Sequence, residues 1–221
     1  MLAAAYGIVS PETFMRLHCE FSTPVARTDL DDYIRHLTIN VGCYDEDALN
    51  EYIVGKLAVD QILWMNALVD GVSLFEICDS DSQGLHEVHS ILTKGKQEFR
   101  PDLKIKEVTS HVMFIYGAVF HPSIHPYRQG ILDAALNLFG EDSVGVMWKD
   151  TSGLSETELA DLGFCKIAGS ELIFRHSSLP TPFHDANPTG QYIDDDVAEL
   201  EHEAWVTQEW KRFQGEGEAA E

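Results

Sequence analysis

The sequence predicts one domain of the α/β (α+β) class, a mixed and largely antiparallel sheet flanked by helices, and three observations carry that prediction. Short apolar runs of strand character stand at Leu37 to Gly42, Val144 to Trp148 and Ile167 to Arg175. Helix punctuation lies between them, above all the capping box Ser155-Glu-Thr-Glu158 with Gly163 at the far end. A chain of 221 residues with 44% hydrophobic content also has enough apolar area for one buried core, so a folded domain is expected.

In chain order, residues 1–36 read as an N-terminal extension, with short helices suggested at Ser10-Pro-Glu12 and from Thr28 to His36. The domain proper spans 37–176. After the strand at Leu37, Asp45 caps an expected helix carrying Ala48, Leu49, Tyr52, Ile53 and Leu57 on one face. Ile62 to Val69, Val72 to Cys78 and Leu85 to Leu92 predict an antiparallel meander, because Asp70-Gly71 suits a tight hairpin needing positive φ. Pro101 fits a first helical turn, and Leu103 to Gly117 is expected to be a helix. A strand competes there, since β-branched and aromatic residues are dense from Val108 to Phe120. The segment His121 to Pro126 breaks what precedes it, and Tyr127 to Phe139 predicts a helix closed by Gly140.

Charge narrows the function classes. A net charge of -22 opposes nucleic-acid partners, which need concentrated Lys and Arg to displace counterions. No apolar run reaches the length of a membrane span, and the first ten residues lack a basic signal start, so a cytoplasmic, membrane-free protein is expected. Four scattered cysteines offer neither a CxxC pair nor metal spacing. Residues 177–221 form an acidic C-terminal extension, helical from Asp194 to Phe213, whose drifting apolar stripe suits docking on the domain or on a protein partner. The reverse imbalance lies between Lys94 and Lys106, where Lys94, Lys96, Arg100, Lys104 and Lys106 supply five of the fifteen Lys and Arg residues. Either a solvated surface or an anion site explains that cluster.

From Ile62 to Arg175 the order of meander, basic turn, helix, strand, short helix, Leu162-Gly163-Phe164 and closing strand resembles the GNAT superfamily of N-acetyltransferases. That resemblance implies a GNAT-like fold, acetyl-CoA as co-substrate and a small-molecule or protein amine as acceptor. The family's fourth strand leads into a loop of pattern (R/Q)xxGx(G/A), whose amides hold the pyrophosphate at a helix start. Placed on Leu85 to Leu92, this makes Thr93, Lys94, Gly95, Lys96 and Arg100 the expected cofactor-binding residues. A second placement puts the fourth strand at His111 to Phe120 and the loop at Tyr127-Arg-Gln-Gly130. The first is preferred because the meander ends directly at the basic cluster.

Amine acetylation needs a base, and His86-Glu-Val-His89 is the richest cluster available. In a strand, Glu87 and His89 share a face, and the family's use of a strand glutamate favours Glu87 as the catalytic base with His89 beside it. A surface Glu and His pair is the plainer explanation. No metal site is expected: HEVH lacks HExxH spacing, and Pro122 and Pro126 spoil a helix between His121 and His125. The family's acid tyrosine falls on Leu159 here. The expected function is therefore an acyl-CoA-dependent N-acetyltransferase for a cationic amine. Its alternative is an inactive GNAT-like structural or interaction module, for example a viral or inhibitor protein.

Overall fold

The computed structural model describes residues 14–20, 29–44, 51–95, 97–106, 109–138, 142–176 and 195–215. Three long strands come first: β1 (Phe14–Glu20), β2 (Ile34–Tyr44) and β3 (Glu51–Ile62). Next come three short helices, α1 (Trp64–Asp70), α2 (Leu74–Asp81) and α3 (Gln83–Leu92), then a small hairpin of β4 (Thr93–Lys94) and β5 (Glu98–Phe99). The second half alternates β6 (His111–Phe120), α4 (Arg128–Asn137), β7 (Ser143–Trp148), α5 (Glu156–Asp161), β8 (Cys165–Lys166) and β9 (Leu172–His176), and ends in α6 (Asp195–Phe213).

The main sheet has seven strands in the order β1-β2-β3-β6-β7-β9-β8. Its pairings are antiparallel except for β6 and β7, which run parallel and are joined through α4. The expected class, a mixed and mostly antiparallel open sheet flanked by helices, is therefore present. Each face carries its own apolar core. Leu57, Val59, Ile115 and Met147 pack under α4 and α5, while Ile62, Val112, Phe114 and Val146 pack under α1, α2 and α3.

The stretch from 51 to 92 departs most from the sequence expectation. The helix expected after Asp45 is instead β3, with residues 45–50 outside those described. The pairing slips at Val54, where Val41 faces Gly55 and Gly42 faces Ile53. This bulge turns Tyr52 and Val54 to the same core as Leu57 and Val59, so a spacing of three appears inside a strand and imitates a helix.

The expected meander is a set of helices. Gly71 does adopt positive φ (71°), but as the left-handed cap of α1, with its N–H bonded to Ala67 and Leu68 carbonyls. Ser73 and Ser82 start α2 and α3 by accepting hydrogen bonds from the Glu76 and Leu85 amides. Leu85, Val88, His89 and Leu92 are buried at helical spacing, so Leu85 to Leu92 is helix, not strand.

The helix expected over Leu103 to Gly117 also gives way. Pro101 opens only a short 3-10 turn to Leu103, and the competing strand forms as β6. Residues Val112 to Ile115 are all buried, the near-continuous apolar reading of a strand covered on both faces. Within residues 1–36, the expected helix at Thr28 to His36 is a 3-10 turn leading into β2, and Phe14–Glu20 is the sheet's edge strand. Ser10 to Glu12 lies outside the described residues.

Local signals in the second half correspond to formed elements. The helix after Tyr127 is α4, the strand from Val144 is β7, and Ser155 with Glu158 forms the capping box of α5. The C-terminal helix docks on β3 and β6 through His202, Val206 and Trp210, which are buried. No helix among the described residues is long and apolar enough to cross a membrane.

Candidate functional site

The described residues among those singled out around 87–100 are spread over different sides of α3 and the hairpin that follows it. Two positions along α3 turn the chain by about 200°, so Glu87 and His89 point to opposite sides of the helix. Glu87 is half-buried, whereas His89 is buried against Trp64 and Phe75, with Thr93 Oγ1 at 3.4 Å from its Nε2. Thr93 donates its hydroxyl to the His89 carbonyl at 2.8 Å. Lys94 is exposed, Gly95 (φ 82°) turns the β4–β5 hairpin, and Lys96 lies outside the described residues. Arg100 is occupied by Asp102 at 2.6 Å and 3.1 Å and by the Ile91 carbonyl. Its hydrogen bond to Asp102 holds that carboxyl below the usual range. The hairpin leads into a 3-10 turn and then a strand, so among the described residues no α-helix starts here to receive a phosphate.

A cleft opens elsewhere, at the C-terminal ends of the parallel strands β6 and β7. β6 and β7 are paired only from His111 opposite Ser143 to Ile115 opposite Met147. A bulge lies at the same point: Val59 faces Ile115 and Ala58 faces Gly117, leaving Tyr116 as an extra residue in β6. Such a bulge bends its strand. Beyond it β6 continues along β3 to Phe120, whereas β7 ends at Trp148, leaving that side of β6 without a strand partner from β7. In open α/β sheets, the carboxyl end of parallel strands is where ligands are received.

A cavity of about 300 Å³ occupies that end, lined by Ala118, Val119, Phe120, His125, Arg128, Asp150 to Gly153, Trp205 and Glu209. Arg128, the first residue of α4, spans its floor: Nε donates to the His125 carbonyl at 3.1 Å and Nη1 to the Gly153 carbonyl at 3.0 Å. His125 Nε2 donates to the Phe120 carbonyl at 3.2 Å. Burial, and after it the Arg128 charge, lowers its pKa, which favours the neutral ring. The helix α6 forms the outer wall through Trp205 and Glu209.

A second polar cluster interrupts the apolar face under α2. Asp60 on β3 pairs across the ladder with His36 on β2. His36 Nδ1 lies 2.8 Å from Asp60 Oδ1, and its Nε2 lies 3.4 Å from Oδ1 of Asp81, the last residue of α2. The carboxylate side chains are 8% and 13% exposed, the imidazole 59%. Burial alone lowers the His36 pKa, but the hydrogen bond to Asp60 and the charges of Asp60, Asp81 and Asp31 outweigh it and raise it. Asp60 is pushed up to about 6 by burial, which together with Asp81 exceeds the opposing pull of His36. The two partners thus move the same way: pairing dominates at the exposed imidazole and desolvation at the enclosed carboxylate. Burial, then Asp60 and Asp81, also raise the Tyr116 phenol.

Sequence reasoning missed Asp60 and His36. One signal existed, a charged residue within the run Leu57-Ala-Val-Asp-Gln-Ile62, where an apolar strand has no use for a carboxylate. Compared with protein-family models, curated proteins and solved structures, the chain matches no family model, no curated protein and no solved structure.

Proposed function

We propose that the chain is an acyl-CoA-dependent N-acetyltransferase of the GNAT type, which holds acetyl-CoA in the cleft between β6 and β7 and acetylates a cationic amine. One observation carries this reading: the β6–β7 pairing ends at Ile115 and Met147, next to the Tyr116 bulge, and β6 runs on without β7 toward the first turn of α4. Backbone groups freed from a ladder need new partners. An extended thioester arm containing amides supplies both donors and acceptors to such a gap.

The element order supports the same reading with the family's fourth strand on β6 rather than on Leu85 to Leu92. An antiparallel run ends in β6, α4 connects it to the parallel β7, and α5 ends in Leu162-Gly163-Phe164 before the closing strands. Arg128 then replaces Lys94, Lys96 and Arg100 as the cation nearest the nucleotide. Glu87 and His89 do not line the cleft, so the base is left unassigned. In the reaction, the amine nitrogen bonds to the thioester carbonyl carbon, the C–S bond breaks, CoA leaves as the thiol, and one proton passes to solvent. The net charge of -22 favours approach of a cationic acceptor.

Isothermal titration with acetyl-CoA tests this. Wild type is expected to bind saturably, Arg128→Glu to lose at least tenfold in affinity, and the Lys94→Glu, Lys96→Glu double variant to bind like wild type. Thiol release in the presence of a polyamine then reads turnover. The second reading, a non-catalytic interaction module of the same fold, is favoured by two features. Trp205 and Glu209 of α6 wall the cleft, and Leu159, where the family carries a tyrosine, is a core residue. Absence of acetyl-CoA binding to wild type leaves that reading in place.

A further inference from the structure

We infer that His36, Asp60 and Asp81 form a binding site for one divalent first-row transition-metal ion. One ligand atom from each side chain can be chosen such that all three lie within 4.8 Å of one another. Imidazole and carboxylate donors sit roughly 2.0–2.2 Å from such an ion, so donors in tetrahedral arrangement stand about 3.4 Å apart. The exposed His36 ring, whose Nδ1 now meets Asp60 and whose Nε2 meets Asp81, turns to give one nitrogen to the ion.

The three ligands come from rigid, independent elements. His36 and Asp60 face each other on paired strands, and Asp81 directly precedes Ser82, whose hydroxyl caps α3. The backbone positions of the three ligands are thereby set before any ion arrives, and only the His36 ring has to turn. Because the ligands come from three elements far apart in the chain, no sequence spacing betrays them.

Charge provides independent support. Two enclosed carboxylates share one imidazole, and the ion pairs found among the described residues give neither of them a lysine or arginine. A protonated His36 offers one positive charge against two negative ones. A divalent ion matches both, while His36 becomes a neutral ligand. Enclosed carboxylates require such compensation. The half-exposed His36 ring marks the route from solvent.

The donor set selects the ion. One nitrogen with two carboxylate oxygens suits zinc, cobalt, iron or manganese better than magnesium or calcium, which prefer oxygen alone, or copper(I), which prefers thiolate. Three protein ligands leave a coordination position for water. The site is separate from the cleft and does not depend on acyl transfer.

Metal-free protein titrated with cobalt(II) tests the site through the ligand-field absorption, with zinc(II) binding measured by calorimetry. One ion per chain is expected, with affinity at least tenfold weaker in His36→Ala and in Asp81→Asn. His125→Ala is expected to bind like wild type, and magnesium not to displace cobalt. Thermal unfolding without metal checks each variant, and the isosteric Asp81→Asn serves if His36→Ala does not fold. Lack of saturable binding, equal binding by wild type and Asp81→Asn, or displacement by magnesium would overturn the assignment.

Discussion

Phe213, the last residue of α6, brings the tip of its ring against Gly117: a Cβ placed on that glycine would collide with Phe213 Cζ. The contact is made possible by a bare backbone at the point where β6 leaves β7, one residue past the Tyr116 bulge. Gly117→Val is therefore expected to lift the end of α6 as well as strain the sheet, at a cost of about 1–3 kcal/mol. Amide hydrogen exchange should show faster exchange in residues 206–213 with little change in α4. Unchanged protection of α6 would show that Phe213 is not held there in solution.

His121 gives the fold a pH dependence. It is 1% exposed under α6, with the His202 ring at 4.0 Å and Trp205 at 5.1 Å. Its Nδ1 accepts from the Ser123 amide, so that nitrogen carries no proton. Burial, and after it the charges of His202 and His125, pushes its pKa down to about 3. The unfolded chain then binds a proton that the folded chain refuses, at every pH from about 6.5 down to about 3. This stabilising contribution is complete above 6.5 and is lost as pH falls through that window. Each pH unit corresponds to about 1.4 kcal/mol at most, so a total on the order of 2 kcal/mol is expected once local opening is allowed for. Urea midpoints at pH 7 and pH 4.5 check it: His121→Asn, whose amide oxygen can still cap the turn, should lose less than wild type.

Legibility depended on the range of the signal. The capping box at Ser155 and the helix after Pro126 are decided by residues a few positions apart, and both elements formed where their residues indicated. Between 51 and 92 the local signals were shared by two structures. Positive φ at Gly71 serves a hairpin and a helix cap equally, and the Val54 bulge gave a strand the spacing of a helix. The serines at 73 and 82 were the discriminating residues, since hydroxyl caps belong to helices rather than to hairpin strands. The cleft was legible only in the second placement, through Tyr127 to Gly130, because its opening depends on which strands pair and where that pairing stops. The His36, Asp60 and Asp81 cluster is non-local in the same sense.

Arg175 supplies a test of buried charge. It is 1% exposed on β9 and reaches Asp133 of α4 at 2.5 Å, joining a strand to the helix above it. Removing only the carboxylate takes its counter-charge from an enclosed cation, so Asp133→Ala should cost on the order of 3 kcal/mol. The double variant Arg175→Met, Asp133→Ala should recover part of that loss, because it withdraws both charges together. Chemical denaturation of wild type, the two single variants and the double variant measures the coupling, and additive losses would argue against a functional pair.

Gly153 tests whether the floor of the cleft is held by Arg128 or merely touched by it. Its φ is 64°, and an added Cβ would meet Arg128 Nη1 at 2.8 Å. Gly169 provides the comparison, with φ 79° and nothing within 4 Å of an added Cβ. Both alanine variants carry the left-handed backbone cost of about 1 kcal/mol. Only Gly153→Ala must also displace the guanidinium that donates to the Gly153 carbonyl at 3.0 Å and to the His125 carbonyl at 3.1 Å. Its loss should therefore exceed that of Gly169→Ala by about 1 kcal/mol, the worth of a typical hydrogen bond. Equal losses would mean that Arg128 swings aside freely, and a freely moving arginine cannot be the fixed cation at the start of α4 on which the proposed nucleotide contact rests.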